Sequence, residues 1–204
     1  NRCTSIPQDT DKELAALFGC AITTGFGVIE NNAKLLMGES IVIFGAGGIG
    51  LNIIQASKLA SAFPIITVDI FDNRLELDRK FGATHTLNSK NIDIEFGLKK
   101  IIKEKSLDVF IDNTGIPEII EKGYEIINPK GRVILVGVPP INSNIQIYSL
   151  PLHFGKLILG SHGGECIPDL DIPRYIKLLK NKKISFKGLV TSRYSLKNIN
   201  TAIK

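Results

Sequence analysis

The sequence predicts an α/β protein: a doubly wound parallel sheet in three layers, α/β/α. Three observations carry that prediction. Residues 45–50 read Gly45-Ala46-Gly47-Gly48-Ile49-Gly50, between a strand-like run at 39–44 and a helix-like run at 51–62. An acidic residue, Asp69, closes the next strand nineteen positions past Gly50. From residue 39 to residue 138 apolar runs alternate with helical stripes, joined by short connections. A strand, a glycine turn that opens a helix, and an acid closing the following strand are the parts of a dinucleotide-binding Rossmann fold. The alternation sends successive strands into one parallel sheet with helices on both faces.

Each element has its own reason. Asp9 and Asp11 flank Thr10 and give an acidic start to a short helix at 13–18, and the small residues at 19–27 start a second helix toward Asn31. Strand one ends at Phe44, and the helix after it lays Ile49, Ile53, Ala56 and Ala60 on the sheet as one stripe. Strand two spans 65–70. Asp72 is expected to cap the next helix and Gly82 to end it. A short third strand follows at 84–88. The segment 93–105 puts Ile94, Leu98, Ile101 and Ile102 on one face. Strand four covers 107–112. Pro117 opens a helix that turns Ile116, Ile120, Tyr124 and Ile127 inward, and Pro129-Lys130-Gly131 breaks it. Strand five, 132–138, is almost wholly apolar, as a parallel strand covered on both faces should be. Beyond Pro139-Pro140, the runs 145–148 and 157–160 read as edge strands. Residues 169–180 form an amphipathic helix through Ile172, Ile176 and Leu179, and 194–204 ends within a helical pattern.

Bulk properties exclude several classes. No apolar run approaches the roughly 20 residues of a membrane span, and no signal peptide is visible. Cys3, Cys20 and Cys166 are odd in number and far apart, which argues against a disulfide framework and for a reducing cytoplasm. The net charge of +5 raises nucleic acid as a partner. Yet the lysines sit on outer helix faces (Lys99, Lys100, Lys103, Lys105) and around one loop (Lys180, Lys182, Lys183, Lys187), with no Trp and no Cys/His finger spacing. No nucleic-acid partner is expected.

The glycine turn has a mechanism. Gly45 permits a tight turn, Gly47 lets backbone approach a pyrophosphate, and Gly50 lets helix and strand pack closely. The helix N-terminus at Gly48 and Ile49 offers free N–H groups and the positive dipole end to phosphates. Ligands of such sheets bind beyond the strands' carboxyl ends where strand order reverses, which gathers the turn, Asp69, Thr114-Gly115 and Val136-Gly137-Val138 at one crevice. The Asp69 carboxylate suits ribose hydroxyls and repels a 2′-phosphate. No Arg or Lys directly follows it, since Ile70 and Phe71 do. NAD is therefore expected over NADP. S-adenosylmethionine-dependent methyltransferases also carry a glycine turn and an acid, but a helix starting immediately after the turn suits a pyrophosphate better. An NAD-sensing module without catalysis is a further alternative.

The ordered set Gly19-Cys20-Ala21, Thr24-Gly25, the glycine turn, Val68-Asp69, Gly82-Ala83-Thr84, Asp112-Asn113-Thr114-Gly115, Gly131-Arg132 and Val136-Gly137-Val138 resembles the medium-chain, zinc-containing alcohol dehydrogenases. The likeness runs nearly the whole length. It implies that residues 1–21 are the tail of a catalytic domain, 22–161 an NAD-binding domain, and 162–204 a return toward the catalytic domain, with the amino-terminal half of the parent absent. The opening Asn1 and the unterminated end fit that expectation. It further implies an enzyme that passes hydride between an alcohol or polyol and NAD, with zinc present only in the full-length parent. Cys20 would be one zinc ligand of an incomplete site, and His85, His153 and His162 do not match the others. The fragment alone is expected to hold no catalytic zinc and to be inactive. By the same resemblance Thr24 faces the nicotinamide, Arg74 reaches the ribose, and Val136 and Val138 line the nicotinamide side. A zinc-free reductase of the same superfamily is the nearest rival, against which Cys20 argues. Edge pairing through 145–148 and 157–159 would give a homodimer.

Overall fold

The computed structural model describes residues 3–103 and 107–203. Asn1, Lys105 and Lys204, each used above, lie outside the described residues. Six strands form one sheet: β1 (Ile41–Phe44), β2 (Ile65–Asp69), β3 (His85–Asn88), β4 (Leu107–Asp112), β5 (Ile127–Leu135) and β6 (Leu157–Gly160). Their order is β3-β2-β1-β4-β5-β6, and every neighbouring pair is parallel. The order reverses between β1 and β4, so the doubly wound arrangement predicted from the alternation is present.

The strands need apolar residues at successive positions because both faces are covered. Ile41, Ile43, Ile65, Val109, Ile111 and Ile134 enter one core with the helices α2 (Ala21–Gly27) and α3 (Gly48–Leu59). Val42, Phe44, Ile66, Val68, Phe110 and Val133 enter the other with α5 (Ile94–Ile102) and α6 (Pro117–Ile126). The alternation of side chains across a strand makes this division. The helix α4 (Asp72–Phe81) joins the first layer through Phe81, and α7 (Pro168–Lys180) does so through Ile172, Tyr175 and Ile176. Phe18, just after α1 (Lys12–Leu17), meets Phe186 edge to face at 5.6 Å, so both ends of the chain share that core. A short α8 (Ile199–Ile203) closes the described chain. No helix among the described residues is long and apolar enough to cross a membrane.

Local signals behaved unevenly. Asp11 caps α1 by accepting from Glu13 N at 2.8 Å, and Asp93 caps α5 by accepting from Phe96 N at 2.8 Å. Asp72 does not cap α4: it is the helix's first residue, and its carboxylate accepts from Asn88 Nδ2 at 2.7 Å. Pro129-Lys130-Gly131 makes a bulge rather than a gap. Leu107 pairs with Ile127 and Val109 with Arg132, so the intervening residues of β5 bow out of the ladder. Strand five ends at Leu135, which leaves residues 136–138 as loop.

The run 145–148 is not a strand. Its backbone bonds go to α6 instead: Gln146 N donates to Glu121 Oε1 at 2.6 Å, and Tyr148 O accepts from Tyr124 OH at 3.1 Å. Ile147 packs on the second core, so its apolar character serves burial and not a sheet edge. On this side of the sheet the edge strand is β6, on which Leu157 and Leu159 are exposed.

Candidate functional site

The carboxyl ends of β1, β2 and β4 and the loop after β5 surround a cavity of about 590 Å³ at the point where strand order reverses. Gly45, Gly47, Gly48, Ile49, Asp69 and Arg74 line one side, and Thr114, Val136, Gly137 and Val138 the other. Ten of the residues singled out in the sequence therefore meet in one place.

Close backbone packing shapes the crevice. A Cβ on Gly50 would sit 2.2 Å from the Gly45 carbonyl oxygen, so α3 starts directly on the turn that precedes it. A Cβ on Gly137 would lie 2.3 Å from Gly115 N, which presses the loops after β4 and β5 together. Gly47 differs, because a Cβ there meets nothing within 4 Å and projects into open space. As at any helix start, the N–H groups of the first turn of α3 have no intrahelical partner.

Two buried carboxylates tie the loops down. Asp69 Oδ2 accepts from Ala46 N at 2.8 Å, and its Oδ1 accepts from Ile70 N at 2.7 Å and Phe71 N at 3.0 Å. Arg74 Nη1 lies 3.5 Å from Oδ2, on a half-exposed side chain. Asp112 accepts at Oδ1 from Thr114 N (2.9 Å) and Thr114 Oγ1 (2.5 Å), and at Oδ2 from Gly115 N (2.9 Å). Its carbonyl also accepts from Val136 N and Gly137 N. Such fans of donors satisfy the oxygens of a carboxylate that water does not reach.

The remaining expected residues lie elsewhere. Thr24 is buried in α2 and is not among the residues lining the cavity. Cys20 is an exposed thiol at the start of α2. Among the described residues no three His, Cys, Asp or Glu side chains gather to hold a metal. A lone thiol does not satisfy zinc, which takes three protein ligands in catalytic sites. His162 begins a short helical turn, where its backbone N–H donates to Glu165 Oε1 at 2.9 Å.

The sequence named Asp112 and Asn113 only within the family resemblance and Phe71 only as a position without a cation, and it passed over Lys90. Asn113 Nδ2 donates to the Gly45 carbonyl at 3.2 Å, bridging the two sides of the crevice. The Phe71 ring carries two cations, Arg74 at 4.8 Å and Lys90 Nζ at 5.1 Å. For Asp112 and Asn113 a signal existed, a polar pair ending an otherwise apolar strand. For Lys90 none did, because it arrives from the far end of β3.

Fold and crevice define a Rossmann-type α/β domain. The family model described as zinc-binding dehydrogenase matches residues 48–181, and the chain belongs to that family, as a domain of the medium-chain alcohol dehydrogenase type. It is 34% identical over 203 residues to alcohol dehydrogenase class-3 of Cereibacter sphaeroides, a match covering 96% of this chain and 54% of the relative. S-(hydroxymethyl)glutathione dehydrogenase of Paracoccus denitrificans is 30% identical over 202 residues, with 96% and 54% covered. Benzyl alcohol dehydrogenase from Acinetobacter calcoaceticus superposes with a TM-score of 0.91 at 35% identity, covering 98% of this chain and 55% of that one. The chain thus spans about half the length of the curated relatives it matches.

Proposed function

We propose that this chain seats NAD for an alcohol dehydrogenase, the parent protein passing hydride between an alcohol and the nicotinamide. The observation that carries this reading is the open crevice face at Gly47, flanked by the start of α3 and by Asp69. The N–H groups at Gly48 and Ile49 donate to the pyrophosphate, with the helix dipole adding to the attraction. Asp69 accepts from the ribose hydroxyls. Three backbone N–H groups already hold that carboxylate, so the group a ribose competes with is Arg74. A 2′-phosphate would meet the Asp69 charge, although Arg74 and Lys90 stand nearby on Phe71. NAD is favoured because Asp69 is fixed and buried while Arg74 is half exposed. The 136–138 loop borders the nicotinamide end. Zinc and most of the alcohol pocket belong to the remainder of the parent.

Calorimetric titration with NAD, NADP and S-adenosylmethionine, with Asp69→Ala alongside, tests the reading. NAD should bind saturably and lose about tenfold in affinity in the variant, the loss expected of one or two hydrogen bonds to a charged acceptor. Binding of the methyl donor alone would overturn the dehydrogenase assignment.

Pairing of two copies through β6 is part of the same proposal, since among the described residues its outer edge pairs with no strand and Leu157 and Leu159 are exposed there. Leu159→Lys should then yield a monomer by sedimentation. A dimer mass in that variant would rule this edge out.

A further inference from the structure

A second cavity, about 780 Å³, opens at the far ends of α3 and α4 from the crevice. Its walls are the carboxyl-terminal halves of those helices and the loop at 182–188. Five lysines line it, Lys58, Lys80, Lys182, Lys183 and Lys187, and no acidic residue does. Among the described residues none of the five forms an ion pair.

Helix ends explain part of this charge. Lys58 and Lys80 lie in the last turns of α3 and α4, and Lys182 and Lys183 directly follow α7. Each helix end carries roughly half a negative charge, so three of them offset about 1.5 of the five positive charges. The excess has no ion-pair partner among the described residues.

The floor supplies an independent sign of a ligand. Gln55 is 7% exposed and lines the cavity. Its Oε1 accepts from Ser185 N at 2.9 Å, which fixes the amide's orientation, while its Nε2 has no partner among the described residues. A buried donor left unmet is costly, so an acceptor placed beside it is favoured. The Ser185 hydroxyl oxygen accepts from Lys187 N at 3.3 Å, which leaves its own proton to donate.

We propose that this cavity binds a phosphate-bearing small molecule, an organic polyphosphate whose oxygens meet the lysines and the Gln55 amide while its apolar part rests on Leu59 and Leu77. Ammonium groups on flexible stems suit phosphate as point charges.

Tripolyphosphate titrated into the full chain, followed by backbone and side-chain amide NMR shifts, tests the site. Saturable binding should move the Gln55 side-chain amide and residues 182–188. Lys183→Gln with Lys187→Gln, both exposed and so harmless to folding, should weaken it roughly tenfold, the loss expected for two charge-assisted contacts in water. Gln55→Met should weaken it too. Shifts centred on residues 45–50, an affinity within about twofold of wild type in the double lysine variant, or no saturable binding would each overturn the proposal.

Discussion

The crevice rim and the interior behind α4 both bury carboxylates, and they treat them in opposite ways. At the rim, Asp69 and Asp112 end strands and each accept three protein hydrogen bonds, mostly from backbone N–H groups of the neighbouring loops. Behind α4, Asp78 is fully buried and neither carboxylate oxygen meets a donor at hydrogen-bonding geometry among the described residues. Burial pushes the Asp78 carboxyl up to about 6, with the Asp69 charge adding to the rise and Thr67, Arg74 and Arg79 opposing it. A strand end turns its following N–H groups back toward its last side chain. A helix face has already committed its own to the helix. Position relative to free backbone donors, more than burial, decides which buried acid is comfortable.

The strongest way to break that contrast is to remove the better-held acid. Asp112→Ala leaves Thr114 N and Gly115 N without acceptors in a closely packed loop, and should cost roughly 3–5 kcal/mol. Chemical denaturation measures it. A loss below about 1 kcal/mol would mean that the loops are held by backbone packing at Gly137 and not by the carboxylate.

Asp78→Asn should act in the other direction. The folded carboxyl is raised from 3.8 to about 6, so the native state holds its proton more tightly than the unfolded chain does. Stability from this group is present below pH 3.8 and falls as pH rises toward 6, by roughly 3 kcal/mol for about two units. Removing the charge should therefore stabilise the protein by about 2 kcal/mol at pH 7.5, the amide still lacking partners, and by little at pH 4. A stability difference between variant and parent that is flat across that range would show that the carboxyl is not raised.

This contrast was only half legible in the residues. Asp69 announced itself because an acid at the end of the second strand has a fixed place in the dinucleotide pattern, and a doubly wound parallel sheet followed from the alternation. Asp112 sat in view at the end of an apolar strand, where an Asx-turn onto the residues that follow is open to any aspartate, but the local pattern does not say which aspartates take it. Asp78 carries no signal in the sequence, because its burial depends on which face α4 lays against β2. Residues 145–148 failed for a related reason. Alternating apolar positions fit a strand and equally fit a segment that buries Ile147 while its backbone bonds to α6.

The smallest effect sharpens the rim itself. Among the described residues Arg74 is the one Asp69 partner that comes from a side chain, at 3.5 Å and half exposed. A 3.5 Å pair whose cation is half exposed, to a carboxylate that three backbone N–H groups already hold, is worth less than about 1 kcal/mol, so Arg74→Gln should leave stability within about 0.5 kcal/mol of the parent. Its consequence for cofactor is more telling. If Arg74 swings from Asp69 to the bound ribose, NAD affinity falls about threefold in the variant, the size of one weak solvent-exposed contact. If it only occupies the carboxylate that the ribose needs, affinity rises instead. The sign of that change, read by the same NAD titration, separates an arginine that binds the cofactor from one that competes with it.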